Sequence, residues 1–221
     1  MSDSIPTAEL CQRYEQLYPG AVTDVLDERG LHDQTLDPEI GPIEPSMTTA
    51  GIAYPCVGRP DRSLDEESNI RNILTMLGDA PEHGVVVYET NSTDSAQIGE
   101  LSVECLLANG VRGAVLDGGA RDLRYILEND FPLFSRFETP ADAVPRWKLL
   151  EWETDVVVGG VDVSPGDVVV GDIDGVVVVP EEISQPVLRE AESLAGTEDS
   201  VREAVRDGAH PLDAYDDHGV F

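Results

Sequence analysis

One stretch constrains the fold more than any other: Gly99 to Asp122, GELSVECLLANGVRGAVLDGGARD. It reads as a helix, a buried strand and a Gly-rich turn from Asp117 to Asp122. Just upstream, Gly84-Val-Val-Val-Tyr88 reads as a second buried strand. Strand, helix and strand in this order form a β-α-β unit, whose right-handed crossover sets the two strands parallel in one sheet. In such a unit the helix begins near the C-terminal edge of the first strand, and the second strand ends at that same edge. The amides of Gly99, Glu100, Leu101 and Ser102 are therefore expected to face the turn that carries Arg121 and Asp122. Open α/β sheets bind ligands at this edge.

The residues at the edge have a definite chemistry. A helix N-terminus presents unpaired N–H groups and a partial positive charge, which suit a small carboxylate. Arg121 adds a permanent cation with forked donors. Asp122, Glu100 and Asp117 are hard oxygen groups suited to a divalent ion such as Mg²⁺, which takes one or two carboxylates and keeps several waters. A carboxylate pocket, an arginine and a metal together describe a site for a 2-oxo acid. The competing reading of the same residues is a helix cap beside a surface ion pair.

Several spaced motifs extend this reading along the chain. They are Gly99-Glu100-Leu101, Gly110-Val111-x-Gly113, Asp117-Gly118-x-x-Arg121-Asp122, Phe131-Pro132-Leu133-Phe134, Pro165-Gly166-Asp167 and Gly171-Asp172-x-Asp174-Gly175-Val176. In this order they resemble the 4-hydroxy-4-methyl-2-oxoglutarate aldolase group, which also contains the regulator of ribonuclease activity A proteins. The resemblance implies that Gly99, Glu100, Leu101, Ser102 and Arg121 bind substrate, that Asp122 binds a divalent metal (Mg²⁺ or Mn²⁺), and that Glu100 holds water on that metal. Arg121, Asp122 and Glu100 are then the catalytic set. It further implies an α/β layered sandwich resembling the phosphohistidine-type swivelling domain, with a mixed sheet around the central β-α-β unit. A homotrimer or homohexamer with sites between subunits is implied as well. The chain departs from the group at Ile98, where an aromatic residue is common, and at Ser102-Val103, where small residues are common. That departure leaves the substrate open.

The 221 residues suit one domain, with residues 180–221 as C-terminal helices and tail. The composition is 41% hydrophobic but only 5% aromatic, so Val, Leu, Ile and Ala fill the core. The formal charge is -30, and Lys148 is the sole lysine. An acidic, lysine-poor surface on an ordinary core points to a halophilic cytoplasm, because at molar salt the Debye length is only about 3 Å and self-repulsion is screened. The same surface argues against nucleic acid and anionic membrane as partners. Cys11, Cys56 and Cys105 match neither a disulfide framework nor a zinc site, and Cys105 is expected in the core. The start, Met1 to Pro6, has no apolar run, and no window approaches a membrane span. A cytoplasmic protein is expected.

Along the chain, helices are expected at Thr7–Leu17 with Thr7 as cap, and at Ala21–Arg29 after a Pro19-Gly20 break. Strands are expected at 40–45 and 50–57, with Pro55 at an edge or bulge. An acidic loop spans 59–68. A helix over 70–77 carries Ile70, Ile73, Leu74 and Leu77 on one inward face, and a polar loop spans Glu89–Gln97. Further on come a helix from Asp122 to Asn129, strands at 132–136 and 151–158, a polar loop at 139–146 and three short Val-rich strands between 161 and 179. Two helices, 180–194 and 197–206 with Thr197 as cap, precede a polar tail from 208 to 221. The opening helix resembles one that lies near the neighbouring subunit in that group, which makes Asp24, Asp27 and Glu28 candidate supporting groups, with a solvated helix face the better reading.

Other chemistries find little support. The four histidines are isolated, with no HExxH spacing. No G-x-S-x-G, Walker loop or G-x-G-x-x-G occurs. A Schiff-base aldolase needs a buried lysine, and Lys148 is expected in a polar loop. A metal-assisted aldolase is more consistent with these residues. Together with the resemblance it implies a metal-dependent lyase that cleaves a C–C bond beside a 2-oxo acid through a pyruvate enolate, with aldolase and oxaloacetate decarboxylase activity sharing one site. The alternative is a non-catalytic regulator that binds another protein, as the ribonuclease-inhibiting relatives do.

Overall fold

The computed structural model describes residues 4–63 and 65–220. Met1–Asp3 of the start, Leu64 of the acidic loop and Phe221 of the tail lie outside the described residues. The fold is mixed α/β.

The expected β-α-β unit forms β3 (Gly84–Glu89), α4 (Glu100–Ala108) and β5 (Gly113–Ala120). β3 and β5 are parallel, with Val85 opposite Gly113 and Glu89 opposite Asp117. On the other side of β5 lies parallel β6 (Leu133–Glu138), which pairs with the two-residue strand β1 (Gly41–Pro42). On the other side of β3 lies β2 (Thr49–Pro60), also parallel to it. Then follow antiparallel β10 (Val168–Asp172) and β11 (Gly175–Val179), joined by a tight turn in which Asp172 Oδ1 accepts from the Asp174 amide at 2.8 Å. The sheet order is β1-β6-β5-β3-β2-β10-β11.

Two strands extend this order where a neighbour ends. β4 (Ala96–Ile98) takes over beside β5 once β3 has stopped, and β7 (Trp147–Trp152) takes over beside β2 once β10 has stopped. Pro55 sits at that second handover. The Ala53 amide bonds Asp167 on the β10 side, so the N–H that proline lacks would point into the gap between β10 and β7. A central strand tolerates proline only at such a site.

The sheet curls until its ends meet. The Phe134 ring of β6 lies against Gly171 of β10, where a Cβ would fall 2.9 Å from it. The segment ahead of β1 bonds β11, through Leu36 N to Val176 O and Val178 N to Gln34 O. Side-chain alternation then fills three layers. Val85, Val87, Val115, Val169, Val176 and Val178 point inside the curl, where the hairpin of β8 (Val156–Val158) and β9 (Val161–Val163) plugs it. Val86, Tyr88, Ala114 and Leu116 point out against α3 (Glu66–Asp79), α4 and α5 (Leu123–Glu128). Val168, Val170, Val177 and Val179 point out against α1 (Thr7–Tyr14), α2 (Pro19–Glu28) and α6 (Ser184–Arg206). Valine dominates because these strands are buried on both faces.

Several expectations are corrected. Pro19 opens α2 rather than breaking the chain before it, since proline suits the first helical position. Thr7 is the first helical residue of α1, not its cap. Asp65 caps α3 through the amides of Glu67 and Ser68, so that helix begins four residues earlier than the apolar spacing indicates. Asp117 to Ala120 is strand, not turn. A Cβ at Gly118 would sit 2.4 Å from Thr90 Oγ1, and one at Gly119 would sit 2.6 Å from the Phe137 ring, so both glycines serve close packing. The expected 180–194 and 197–206 helices are one helix, α6. Thr197 does not cap it; its hydroxyl donates back to Ser193 O at 3.0 Å. Ion pairs Arg13–Glu192 and Arg29–Glu190 tie α6 to α1 and α2. The tail forms a further helix, α7 (Pro211–His218). Among the described residues, no helix is long and apolar enough to cross a membrane.

Candidate active site

The C-terminal edge of β3 and β5 opens into a cleft of about 640 Å³. Gly99, Glu100, Leu101, Ser102, Arg121 and Asp122 all line it. Gly99 precedes α4 in an extended conformation, and Arg121 and Asp122 link β5 to α5. The Arg121 amide bonds Ile98 O at 3.0 Å, which locks the Arg-Asp step against the start of α4.

Contact at this junction is close. The Asp122 Oδ2 accepts from the Glu100 amide at 3.1 Å. Arg121 Nε lies 3.4 Å from the same oxygen. A Cβ on Gly99 would fall 2.5 Å from Asp122 Oδ2 and 3.0 Å from Arg121 Nε, so only glycine leaves room. Asp122 adopts φ 57° and ψ 33°, a left-handed conformation that is costly for a residue with a Cβ but tolerated by Asp. The Val103 amide closes on Gly99 O, while those of Leu101 and Ser102 have no partner among the described residues. Two free amides, a guanidinium and a carboxylate thus share one mouth.

Sequence reasoning missed two further carboxylates of this cleft. Asp142 lies 3.7 Å from Arg121 Nη1. It arrives through a parallel bridge between Ala96 and Asp142, a tertiary contact with no local signature. Glu104 lines the cleft one turn beyond Glu100 on α4 and accepts from the Tyr125 hydroxyl, which it pushes to a raised pKa. Its i,i+4 spacing from Glu100 was the available signal. Tyr88, Gln97 and the fully buried Trp147 form the floor, with Trp147 Nε1 donating to Thr90 O at 2.7 Å.

Other candidates lie elsewhere. Asp117 is not in this cleft. Its carboxylate accepts from Arg136 and, at 2.9 Å, from the Gly159 amide, in a separate cleft on the opposite face of β5. Asp24, Asp27 and Glu28 sit on α2 in the other helical layer, where Asp27 pairs with His32 at 2.9 Å. Cys105 is not core but partly exposed in the cleft wall. Lys148 is in β7 opposite Arg59, not in a loop.

Among the described residues, no group of three or more His, Cys, Asp or Glu side chains is gathered to hold a metal. A closed zinc-type site therefore does not fit. An ion that takes one or two carboxylates and keeps its other waters does fit, because Asp122 uses Oδ2 on the Glu100 amide and leaves Oδ1 free.

The molecule is thus a mixed α/β protein whose cleft joins a helix start to an arginine-aspartate step. It belongs to the RraA-like family, described as Aldolase/RraA, which matches residues 19–178. Over 98% of its length the chain is 25% identical to Protein DlpA of Legionella pneumophila subsp. pneumophila, of which it spans only about a third (34%). Over 71% of its length it is 29% identical to a protein of Halalkalibacterium halodurans provisionally named 4-hydroxy-4-methyl-2-oxoglutarate aldolase, covering 75% of that protein. Among solved structures it is similar, at a TM-score of 0.85, 32% identity and 90% coverage of both chains, to one described under novel cellulases from microbes associated with the gut ecosystem.

Proposed function

We propose that this protein is a divalent-metal-dependent lyase that cleaves a C–C bond beside a 2-oxo acid. The carrying observation is the junction at Gly99, where free amides of α4, the Arg121 guanidinium and the Asp122 carboxylate meet within one small-molecule cleft. The Aldolase/RraA family membership supports the same reading.

The roles follow from chemistry. The amides of Leu101 and Ser102, at the positive end of α4, bind the substrate carboxylate. Arg121 donates to the 2-oxo oxygen as that atom gains charge, and Asp142 and Asp122 hold the guanidinium in place. Asp122, through Oδ1, would be the residue that holds Mg²⁺ or Mn²⁺. When bound, such an ion supplies Lewis-acid stabilisation of developing oxyanion charge. Glu100 holds the water that takes a proton from the 4-hydroxyl and returns it to C3. In the aldol cleavage, the C3–C4 bond breaks, the 4-hydroxyl carbon becomes a carbonyl, and the bonding pair passes to the pyruvate enolate. Oxaloacetate decarboxylation yields the same enolate and suits the same groups. The proposal also covers the swivelling-domain likeness, a cytoplasmic location, a salt-rich milieu and a homotrimeric or homohexameric state. A mixed sheet with its helices packed on the outward face and the charge of -30 support the first and third of these.

The test is pyruvate release from oxaloacetate at molar KCl, with and without Mg²⁺ or Mn²⁺. Metal-dependent turnover is expected. No turnover across oxaloacetate and several 4-hydroxy-2-oxo acids would favour the non-catalytic, protein-binding role.

A further inference from the structure

The cleft has two unlike ends. At the α4 end sit Arg121, Asp122 and Glu100. The opposite wall is α3, which presents Ile70, Ile73, Leu74 and Leu77, and Leu101 of α4 leans over the same space. The apolar face of α3 was expected to enter the core, yet of these only Leu77 is buried, with Ile73 partly buried against the core. Ile70 is 40% exposed, Leu74 55% and Leu101 75%. The core side of α3 is instead Asn69, Met76 and Leu77, with the Asn69 amide spent on Trp147 O and Leu149 N of β7. An amphipathic helix has thus turned part of its apolar stripe into a ligand-sized cleft.

Charge sharpens the point. Arg121 is the one cation lining this cleft among the described residues, against carboxylates of Glu100, Glu104, Asp122 and Asp142. Arg146, just outside, donates to Asp142 O at 2.8 Å. One guanidinium and one set of free amides match one substrate carboxylate. A second carboxylate at the far end would lose its hydration against leucine and isoleucine, with no cation lining that end among the described residues of the chain.

We infer that the substrate is a 2-oxo acid carrying one carboxylate, at the Arg121 end, and an uncharged apolar group at the other, seated against Ile70, Leu74 and Leu101. The aldehyde partner released on cleavage is accordingly hydrophobic. This rests on the lyase reading above and adds the substrate class.

The experiment runs the aldol reaction in the synthetic direction, with pyruvate, Mg²⁺ and one of two acceptor aldehydes of matched shape, 4-methylpentanal and 4-oxobutanoate. They differ in an isopropyl group against a carboxylate. An apolar pocket discriminates by about tenfold or more per methylene-sized difference. The expected kcat/KM for 4-methylpentanal is at least tenfold that for 4-oxobutanoate, and Leu74→Arg lowers this ratio at least tenfold. Ile70→Arg does the same by an independent substitution, should Leu74→Arg fold poorly. Preference for 4-oxobutanoate in the wild type overturns the inference. So does a Leu74→Arg protein that keeps the ratio but changes oligomeric mass, which would assign the wall to a second copy of the chain. Absence of both aldol products together with absence of oxaloacetate decarboxylation rejects the lyase reading itself. Decarboxylation with the wrong acceptor preference rejects only the substrate class.

Discussion

The Asp122 carboxylate closes the N-terminus of a helix that begins twenty-two residues earlier in the chain, accepting from the Glu100 amide at 3.1 Å. That oxygen, Oδ2, fixes α4 against the end of β5 and also lies 3.4 Å from Arg121 Nε, while Oδ1 has no hydrogen-bond partner among the described residues. The residue assigned to the metal is also the residue that builds the mouth of the site. Structure and chemistry at this position are coupled, and conservative substitutions separate them.

Asp122→Asn keeps an oxygen acceptor and tolerates the left-handed backbone, so the cap survives and the charge is lost. Asp122→Ala loses both. The expected result is loss of metal-dependent turnover in both variants. Only the alanine variant should also lose stability, by about 0.5–2 kcal/mol. Thermal melts beside activity assays make the comparison. An active asparagine variant would contradict the metal assignment.

Arg121→Ala removes the one cation that lines the cleft among the described residues. Loss of one preorganised donor to a developing oxyanion costs roughly 10²–10³ in kcat. Arg121→Lys keeps the charge without the fork and should recover part of this. Steady-state kinetics with oxaloacetate measures both. An unchanged kcat in Arg121→Ala would move the chemistry elsewhere.

Gly99→Ala tests packing rather than charge. Gly99 has φ -144°, so alanine meets no backbone strain. The new methyl meets Asp122 Oδ2 and Arg121 instead. Turnover should fall at least tenfold while the fold persists, since near-attack geometry is sensitive to shifts of about 1 Å. Circular dichroism with kinetics reads the two effects apart.

Asp117 supplies the contrasting case. It sits between Arg136 and the Gly159 amide, away from the cleft. Asp117→Asn should cost about 1–3 kcal/mol of stability through a broken charged contact, with metal dependence retained. Loss of metal dependence without loss of stability would return Asp117 to the active site.

Salt should matter to the whole molecule. With a charge of -30, the folded chain repels itself at low ionic strength. The melting temperature is expected to rise from low to molar KCl. A flat profile would remove the halophilic reading.

Much of this architecture was readable because period and chemistry agree locally. The Val85–Tyr88 and Ala114–Leu116 runs with α4 between them give the central unit, and Asp172-Ile-Asp174-Gly175 gives the hairpin. The misses share one physical cause, tertiary context overriding local preference. Gly118 and Gly119 signal a turn but lie in a strand, because Thr90 and Phe137 crowd them. Ala96–Ile98 is too short to show a period and becomes strand only by pairing with Gly119 and Ala120. Gly196 and Thr197 read as a helix boundary, yet α6 runs through them, held by α1 and α2 upstream and α7 downstream. At the site, the residues from Gly99 to Asp122 were legible because sequence proximity and the crossover bring them together. Asp142 was not, because a long-range bridge delivers it.

The most direct measurement follows the methyl signal of pyruvate by proton NMR in D₂O at molar KCl. Enolate formation exchanges those protons for deuterium whatever the natural substrate. Exchange that needs Mg²⁺ or Mn²⁺ in the wild type and vanishes in Asp122→Asn is the expected result. A wild-type rate no faster than metal alone, or the same rate in Asp122→Asn, would contradict the account.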